Sequence, residues 1–364
     1  MAVYIVDVGG ASLKHGLATS PRYTTTPNYM RMSAKASAIQ IRRPIERGYV
    51  VNWTLQGDLL QDLVPPGKDH TLVLTSPLFT PEKLLATQDE VVFEEFEYSA
   101  YASVVPQAMV AHGLSQQPPV TCIVDLGFSC TYIVPVIQGN VVLSAVRRLN
   151  VGGKLLTNYM KECVSYRQWN MMDSFEIIDE VKEAVCGCSL NFTSDMHAFA
   201  SRDAPVVQWA LPDYVHTKHG AIVTPDSMLH DSTQVLRLGV EQITVPEILF
   251  HPSDIGLDQA GLAFGIADAI LACPDYAHGL LFLNIVLTGG TSKLPRLRER
   301  LHADLRPLVP SEYALGISST TDPIGAVWQG CQVMATDDDV LTVTRAEYLE
   351  HGSAVCRGRF RQAP

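Results

Sequence analysis

CIVDLGFSCTY, Cys122 to Tyr132, decides how this chain is read. An apolar run fit for a buried strand ends in Asp-x-Gly, which makes a tight turn, and a second strand leads out. The chain opens on the same device, YIVDVGGASLKHG, Tyr4 to Gly16. The two aspartates, Asp7 and Asp125, lie 125 − 7 = 118 residues apart, as an internally duplicated fold would place them. A third glycine turn, VLTGG, ends on Gly289 and Gly290 and leads into a helix.

An acid and a glycine at a strand end have a joint chemical use. Glycine lets backbone N–H groups approach a phosphate closely, and the carboxylate can orient a magnesium ion through its bound waters. Lys14, seven residues after Asp7, can neutralise phosphate charge. The turn TGGTSKLP supplies a helix N-terminus, which favours an anion or close nucleotide packing. Any one of these turns alone is an ordinary hairpin by turn chemistry. Three in this order argue for an α/β nucleotide-binding fold.

The rest of the chain alternates in the same sense. HTLVLTSPLF from His70 is a strand, and PEKLLATQDEVVFEEF has helical spacing with Pro81 at its start. ASVVPQAMVAHG is a helix with Pro106 early and Gly113 as terminator. GGKLLTNYMKECVSYRQ, FEIIDEVKEAVCGCS and GLAFGIADAILACP are helices, VVQWALP is a strand, and DVLTVTRAEYLEHG is a short strand and a helix that stops at Gly352. The tract PRYTTTPNYMRMSAKASA is expected to be irregular, and VPEILFHPSDIG, with two prolines, to be a connector.

Composition sets outer limits. At 364 residues the chain has room for two domains, 47% of it is hydrophobic and 18% charged, and its net charge is −11. That charge argues against a protein that simply coats nucleic acid. Between Lys14 and Arg47, however, seven basic residues (Lys14, Arg22, Arg31, Lys35, Arg42, Arg43, Arg47) face one acid, Glu46, so this segment could touch phosphates or an acidic protein face, or remain a solvated loop. The eight cysteines show no CxxC pair and are expected to be reduced, buried small hydrophobes. His197, His216, His219 and His230 fit no compact zinc spacing and are expected at the surface. Trp169 and Trp209 could anchor a partner, with core packing the expected role of each; Asp337 to Asp339 reads as a solvated turn. No apolar run reaches membrane-spanning length and the N-terminus lacks the pattern of a signal peptide, so a soluble, intracellular protein is expected.

Taken together, VDVGG, VDLGF and VLTGG resemble the phosphate hairpins and adenosine turn of the actin, sugar-kinase and heat-shock ATPase superfamily. IERGYVVNW, VPEILFHPSDIG, VLTGGTSKLP and VTRAEYLEHGSAV resemble segments of actin-related proteins along nearly the whole chain. NVGGKLLTNYMKECVSYRQ, EVKEAVC and ALPDY are similar to the sixth class of that family. The resemblance implies an α/β, actin-like two-lobe fold with duplicated ATPase-type domains and a reduced subdomain 2. Residues 1–114 would form the small lobe, 115–327 the large lobe with 152–257 as its subdomain 4, and 328–364 a return to the small lobe.

By the same resemblance Asp7, Gly9, Gly10, Lys14, Asp125 and Gly127 would face the phosphates of ATP or ADP, and Asp7 and Asp125 would hold Mg2+ through water. Lys182 and Glu183 would lie near the nucleoside, and Gly289 and Gly290 beside the adenosine. Three departures bear on turnover. Gly10 stands where actin has a serine that caps the terminal phosphate, Phe128 where it has a second acid, and Tyr132 where it has the histidine that helps position the attacking water. Lys293 and Leu294 replace the residues that sandwich adenine. A tyrosine, with a pKa of about 10, is a poor base at neutral pH. Val105 aligns without gaps on actin's water-orienting glutamine, and Gln107 would need a shift of two residues.

The class implies a nuclear subunit of a chromatin remodeller that exchanges histone-variant dimers. Its expected partners are the remodeller's ATPase subunit, a zinc-finger HIT-type subunit and, through the complex, nucleosomal histones and DNA. No membrane contact and no catalysis are expected, and no self-polymerisation, the last because Asp254 replaces an aromatic residue and the stretch from Pro21 to Gly48 is short. An active ATPase whose hydrolysis switches lobe closure is the alternative; a cytoskeletal relative is disfavoured by the class-specific segment.

Overall fold

The computed structural model describes residues 2–33, 39–65, 67–115, 118–215, 217–227, 233–336 and 340–360. The chain divides into two compact units. One comprises Met1–Asn150, Asp268–Ser292 and Ser311–Pro364; the other comprises Val151–Ala267 and Lys293–Pro310. These units group the chain by compactness, whereas the lobes expected above divide it by repeat.

The first unit holds two six-stranded sheets of one design. In the first, the order is Val343–Thr344, Ala100–Val104, His70–Thr75, Ala2–Val8, Ser12–Leu17, Thr24–Pro27. In the second it is Ile317–Ser319, Ile285–Thr288, Val120–Leu126, Thr131–Ile137, Asn140–Val141, with Arg147–Leu149 also paired to Thr131–Ile137. Each sheet is built on an Asp-x-Gly hairpin whose first strand pairs antiparallel with its own return strand and parallel with a strand on its other side. A parallel partner needs a crossover, and helices such as Trp53–Gln61 and Asp275–Leu283 precede the parallel strands.

Both faces of the first sheet are covered, which is why its strands read as apolar runs rather than as alternating ones. Tyr4, Val6 and Val8 share a core with Trp53, Phe93 and Tyr348, while Ile5 on the opposite face packs with Val73, Ala102, Trp328 and Cys331.

Two helices are exchanged between the sheets. Pro106–His112 follows the first sheet in sequence, yet its Ala108 and Val110 share a core with Ile123, Val134 and Val286 of the second. Ala326–Thr336 follows the second sheet, yet its Trp328 and Cys331 lie in the core of the first. The helices meet where both are bare: a side chain on Gly330 would collide with the Met109 carbonyl, and one on Gly113 would sit 2.9 Å from Gly330 Cα. This exchange ties each repeat to the sheet of the other.

The second unit contains helices Gly153–Arg167, Phe175–Val185 and Phe192–Ala200, and an antiparallel sheet ordered Ala221–Ile222, Val207–Ala210, Val235–Leu238. Buried Arg300 holds it together, paired with Glu247 at 2.8 Å and Asp304 at 2.7 Å and donating to the Ser189 carbonyl at 2.7 Å.

Two expectations need correction. The tract from Pro21, expected to be irregular, forms the strand Thr24–Pro27, with Lys14 opposite Thr25, and the strand Met30–Ser33, which pairs with Ile39–Arg42. Three consecutive threonines are β-branched and suit an edge strand, and Pro27 closes it where no further ladder bond is needed. The supposed connector begins inside the helix Glu241–Glu247. Pro246 is tolerated there because the carbonyl of Gln242, which its missing N–H would have bonded, accepts the Gly187 N–H instead at 3.0 Å.

All eight cysteines are free, seven of them buried, with Cys163 partly exposed. Trp209 is buried as expected; Trp169 is not, being 45% exposed beside Tyr166 at 92%. His197 and His219 are exposed, His219 within 3.2 Å of Glu180. Lys35, His216, His230 and Asp337 to Asp339 lie outside the described residues. Among those described, no three His, Cys, Asp or Glu side chains gather as a metal site, and no helix is long and apolar enough to cross a membrane.

Candidate functional site

Asp7 sits opposite Lys14 in the register of the first hairpin, and Asp125 opposite Tyr132 in the second. Residues so opposed share a face of the sheet and reach one another. In the first hairpin they pair: Lys14 Nζ lies 3.2 Å from Asp7 Oδ2, with both side chains largely buried. Thr75, from the neighbouring parallel strand, completes the site. Its hydroxyl donates to Asp7 Oδ1 at 3.1 Å and accepts from the Val8 N–H at 2.8 Å. Fully buried Asn28 holds the turn from beneath, donating to the Gly9 carbonyl at 2.9 Å and to Gln56 at 3.2 Å.

The second hairpin is satisfied differently. Tyr132 turns away from Asp125 and donates to the Leu78 carbonyl at 3.2 Å, beside the Tyr49 hydroxyl at 3.5 Å, with the Arg148 guanidinium 5.6 Å from its ring centre. Burial and the bond with Tyr49 push its hydroxyl above the usual tyrosine range. Asp125 instead accepts from Gln107 Nε2 at 2.8 Å. Dense surroundings push the Asp125 carboxyl above the usual range, opposed by the Gln107 bond; nearby Asp7 adds to the rise and Lys14 opposes it. Gln107 is 2% exposed, and its Oε1 has no hydrogen-bond partner among the described residues.

The glycines occupy the points of closest approach. A carbon on Gly289, whose φ is +83°, would collide with the Leu126 carbonyl and sit 2.7 Å from Asp125 Oδ1. Thr291 fastens this third turn to the second hairpin, donating to the Gly127 carbonyl at 3.0 Å. A carbon on Gly9 would lie 2.9 Å from Lys14 Nζ. One on Gly10 would collide with Ser129 Oγ and lie 3.3 Å from the Phe128 ring, so the two hairpins meet at their tips.

Two sheets built on equivalent hairpins, with Asp7 in electrostatic reach of Asp125 and helices exchanged between the sheets, describe a duplicated fold. The family model for actin matches residues 3–361. The chain belongs to the actin family. The "Actin-like protein ARP6" of Yarrowia lipolytica is 40% identical over 334 residues, which cover 89% of this chain and 86% of that protein. The "Actin-related protein 6" of Arabidopsis thaliana is 35% identical, covering 98% and 99%, and that of Drosophila melanogaster 31% identical, covering 96% and 98%.

Within this actin-family chain the structure brings together Asp7, Gly9, Gly10, Lys14, Asp125, Gly127 and Gly289, all in the first unit. Gly290 adjoins them in sequence, with open space where its side chain would be. Lys182 and Glu183 belong to the second unit. Lys182 is buried and its Nζ is engaged by Asp179 at 2.5 Å, Thr157 at 2.9 Å and the Gly153 carbonyl at 3.4 Å, so it ties two helices of its own unit. Glu183 is exposed, with Lys293 in its electrostatic reach.

The ungapped resemblance to actin left Gln107 two residues out of place; the fold puts its amide on Asp125. Sequence reasoning missed Asn28, Thr75 and Ser129 altogether. Thr75 had one usable signal, a hydroxyl residue ending the strand parallel to the one that carries Asp7. Asn28 and Ser129 had none, because their neighbours come from distant stretches of chain.

Proposed function

We propose that this chain is a nuclear, non-polymerising actin-related scaffold: a subunit of a chromatin-remodelling complex that exchanges histone-variant dimers in nucleosomes. It contacts the remodeller's ATPase subunit and a zinc-finger HIT-type subunit, and reaches nucleosomal histones and DNA through the assembly. ATP or ADP with Mg2+ serves it as a structural ligand. The relatives named above support the class, and the class-specific segment from Asn150 to Gln168 supports the assembly. Asp254, exposed on the turn Pro252–Ile255, supports the absence of a polymer, since a charge there disfavours an apolar contact between copies.

Fit to a nucleotide is supported by the bare backbone at Gly9, Gly10 and Gly127, by Lys14 beside it, and by the buried Gln107 Oε1 next to Asp125. Asp7 and Asp125 would hold a hydrated cation, whose contribution is to offset phosphate charge. Lys14 would stand between Asp7 and the phosphates, and the glycine N–H groups would take the phosphate oxygens.

Tyr132 carries the non-enzymatic part of this reading. Its hydroxyl is spent on the Leu78 carbonyl and held above its ordinary pKa, so it neither accepts nor relays a proton at neutral pH. Ligand binding to the folded state alone stabilises it by about 2.7 kcal/mol at a hundredfold excess over Kd, which suffices for an architectural role. The test is to purify the chain, denature it, identify released nucleotide by chromatography and follow bound ATP over hours. Retained, unchanged ATP is expected. Stoichiometric conversion to ADP on the protein would refute the non-enzymatic reading.

A second reading, an ATPase whose turnover switches lobe closure, is favoured by one observation. Gln107 Oε1, without a hydrogen-bond partner among the described residues, is a buried acceptor fit to orient a water beside Asp125.

A further inference from the structure

Where the two hairpins meet, one hydroxyl and one guanidinium converge on a backbone that has no side chain of its own. Ser129 Oγ occupies the space in front of Gly10 so closely that a carbon there would collide with it. Ser129 is half-buried, and its hydroxyl makes no hydrogen bond among the described residues. On the same spot Arg43 donates to the Gly10 carbonyl at 3.4 Å, its guanidinium lying 4.7 Å from the centre of the Phe128 ring and 4.8 Å from that of Tyr29. Stacking on two rings fixes a guanidinium in place at little further entropic cost. Lys14 Nζ lies on the other side, close to where a Gly9 side chain would project.

A hydroxyl donor with no partner among the described residues, a clamped guanidinium, an ammonium and a bare glycine backbone make a corner for a tetrahedral oxyanion. We propose that Ser129 and Arg43 together recognise the terminal phosphate of a nucleoside triphosphate, with Ser129 donating from the second hairpin across the tip of the first. Gly10 is bare because the hydroxyl that serves this position arrives from the other repeat. Phe128 works indirectly, as the surface on which Arg43 is seated, and it leaves the corner positive where a second acid would have drawn a metal ion. Ser129 is thus a specificity residue that separates triphosphate from diphosphate. This assignment rests on the nucleotide-binding reading above.

Calorimetric titration of the nucleotide-stripped full chain with ATP, ADP and inorganic phosphate tests it. The expected result is ATP bound more tightly than ADP. Ser129→Ala should shrink that ratio about tenfold, the worth of one hydrogen bond to a charged group, while ADP affinity stays within about twofold. Arg43→Met should shrink it in the same direction. Gly10→Ser combined with Ser129→Gly moves the hydroxyl back across the tip and should restore the ratio, an outcome that general damage to the fold does not produce. An unchanged ratio in Ser129→Ala, or a swap variant no better than Ser129→Gly, overturns the assignment. Wild-type chain that binds ATP and ADP equally overturns it while leaving the structural-ligand reading intact. Wild-type chain that binds neither overturns both. Inorganic phosphate binding as tightly as ATP also overturns it, since the corner would then be a site for free phosphate.

Discussion

In the hairpin of Ala2–Val8 and Ser12–Leu17, the residue across from the acid is Lys14; in that of Val120–Leu126 and Thr131–Ile137 it is Tyr132. The backbones match in register, in the parallel strand alongside and in the glycine that ends the turn. The side chains solve the same problem, a carboxylate inside a packed turn, by different chemistry. The first hairpin supplies an opposite charge. The second supplies one neutral amide, from Gln107, and lets burial raise the carboxyl's pKa. A repeated scaffold therefore does not imply a repeated function. The charge-paired copy keeps a cation beside its acid, and in the other the facing residue is a structural tie to Leu78.

This contrast can be broken most forcefully at Lys14. Lys14→Met leaves Asp7 charged and buried with only Thr75 for support, which should cost about 3 kcal/mol of stability in chemical denaturation. Adding Asp7→Asn to the same chain should recover most of that loss. A single Lys14→Met that costs no more than a surface change would mean the pair is not the first hairpin's main support.

Tyr132→Phe probes the other side of the comparison. It removes one hydrogen bond to the Leu78 carbonyl and keeps the ring, so the expected loss is about 1 kcal/mol, with bound nucleotide unaltered. A large loss of nucleotide on this substitution would give Tyr132 a role beyond tying the hairpin to Leu78.

Asp125→Asn sharpens the contrast through pH. A carboxyl raised in the folded state binds a proton there that the unfolded chain has already released, so its ionisation weakens the fold as pH climbs from the ordinary carboxylate range through the raised value. The variant keeps an acceptor for Gln107 but cannot ionise. Its stability should match wild type in mild acid and exceed it increasingly toward neutral pH. A constant difference across that range would mean that Asp125 titrates normally.

Much of this was legible in the sequence, and what was not has identifiable causes. The duplicated turns could be read because Asp and Gly at a strand end are a local signal, and the helices Pro106–His112 and Arg345–His351 because proline and glycine punctuate them. Lys14 could be placed opposite Asp7 by counting residues through a hairpin. Gln107 resisted because its meaning depends on which sheet its helix covers, and the helix covers the sheet of the other repeat. Trp169 misled because a large aromatic near the end of an amphipathic helix reads as core, whereas its place past the last turn of Gly153–Arg167 leaves it 45% exposed. The threonine tract misled because its prolines spoke louder than its β-branched residues.

The exchange of helices also sets an order of assembly. A nascent chain that has emerged as far as Val104 has made five of the first sheet's six strands, yet Trp328, Cys331, Val343, Tyr348 and Cys356 of its cores are still to be synthesised. The second sheet, by contrast, can close much of its core with Ala108 and Val110, which come off the ribosome before it. The earliest-translated sheet is therefore the last to be finished. It waits with an apolar face uncovered for more than two hundred residues of synthesis, from Val104 to Trp328, an interval in which chaperone capture or misassembly with another chain is most consequential.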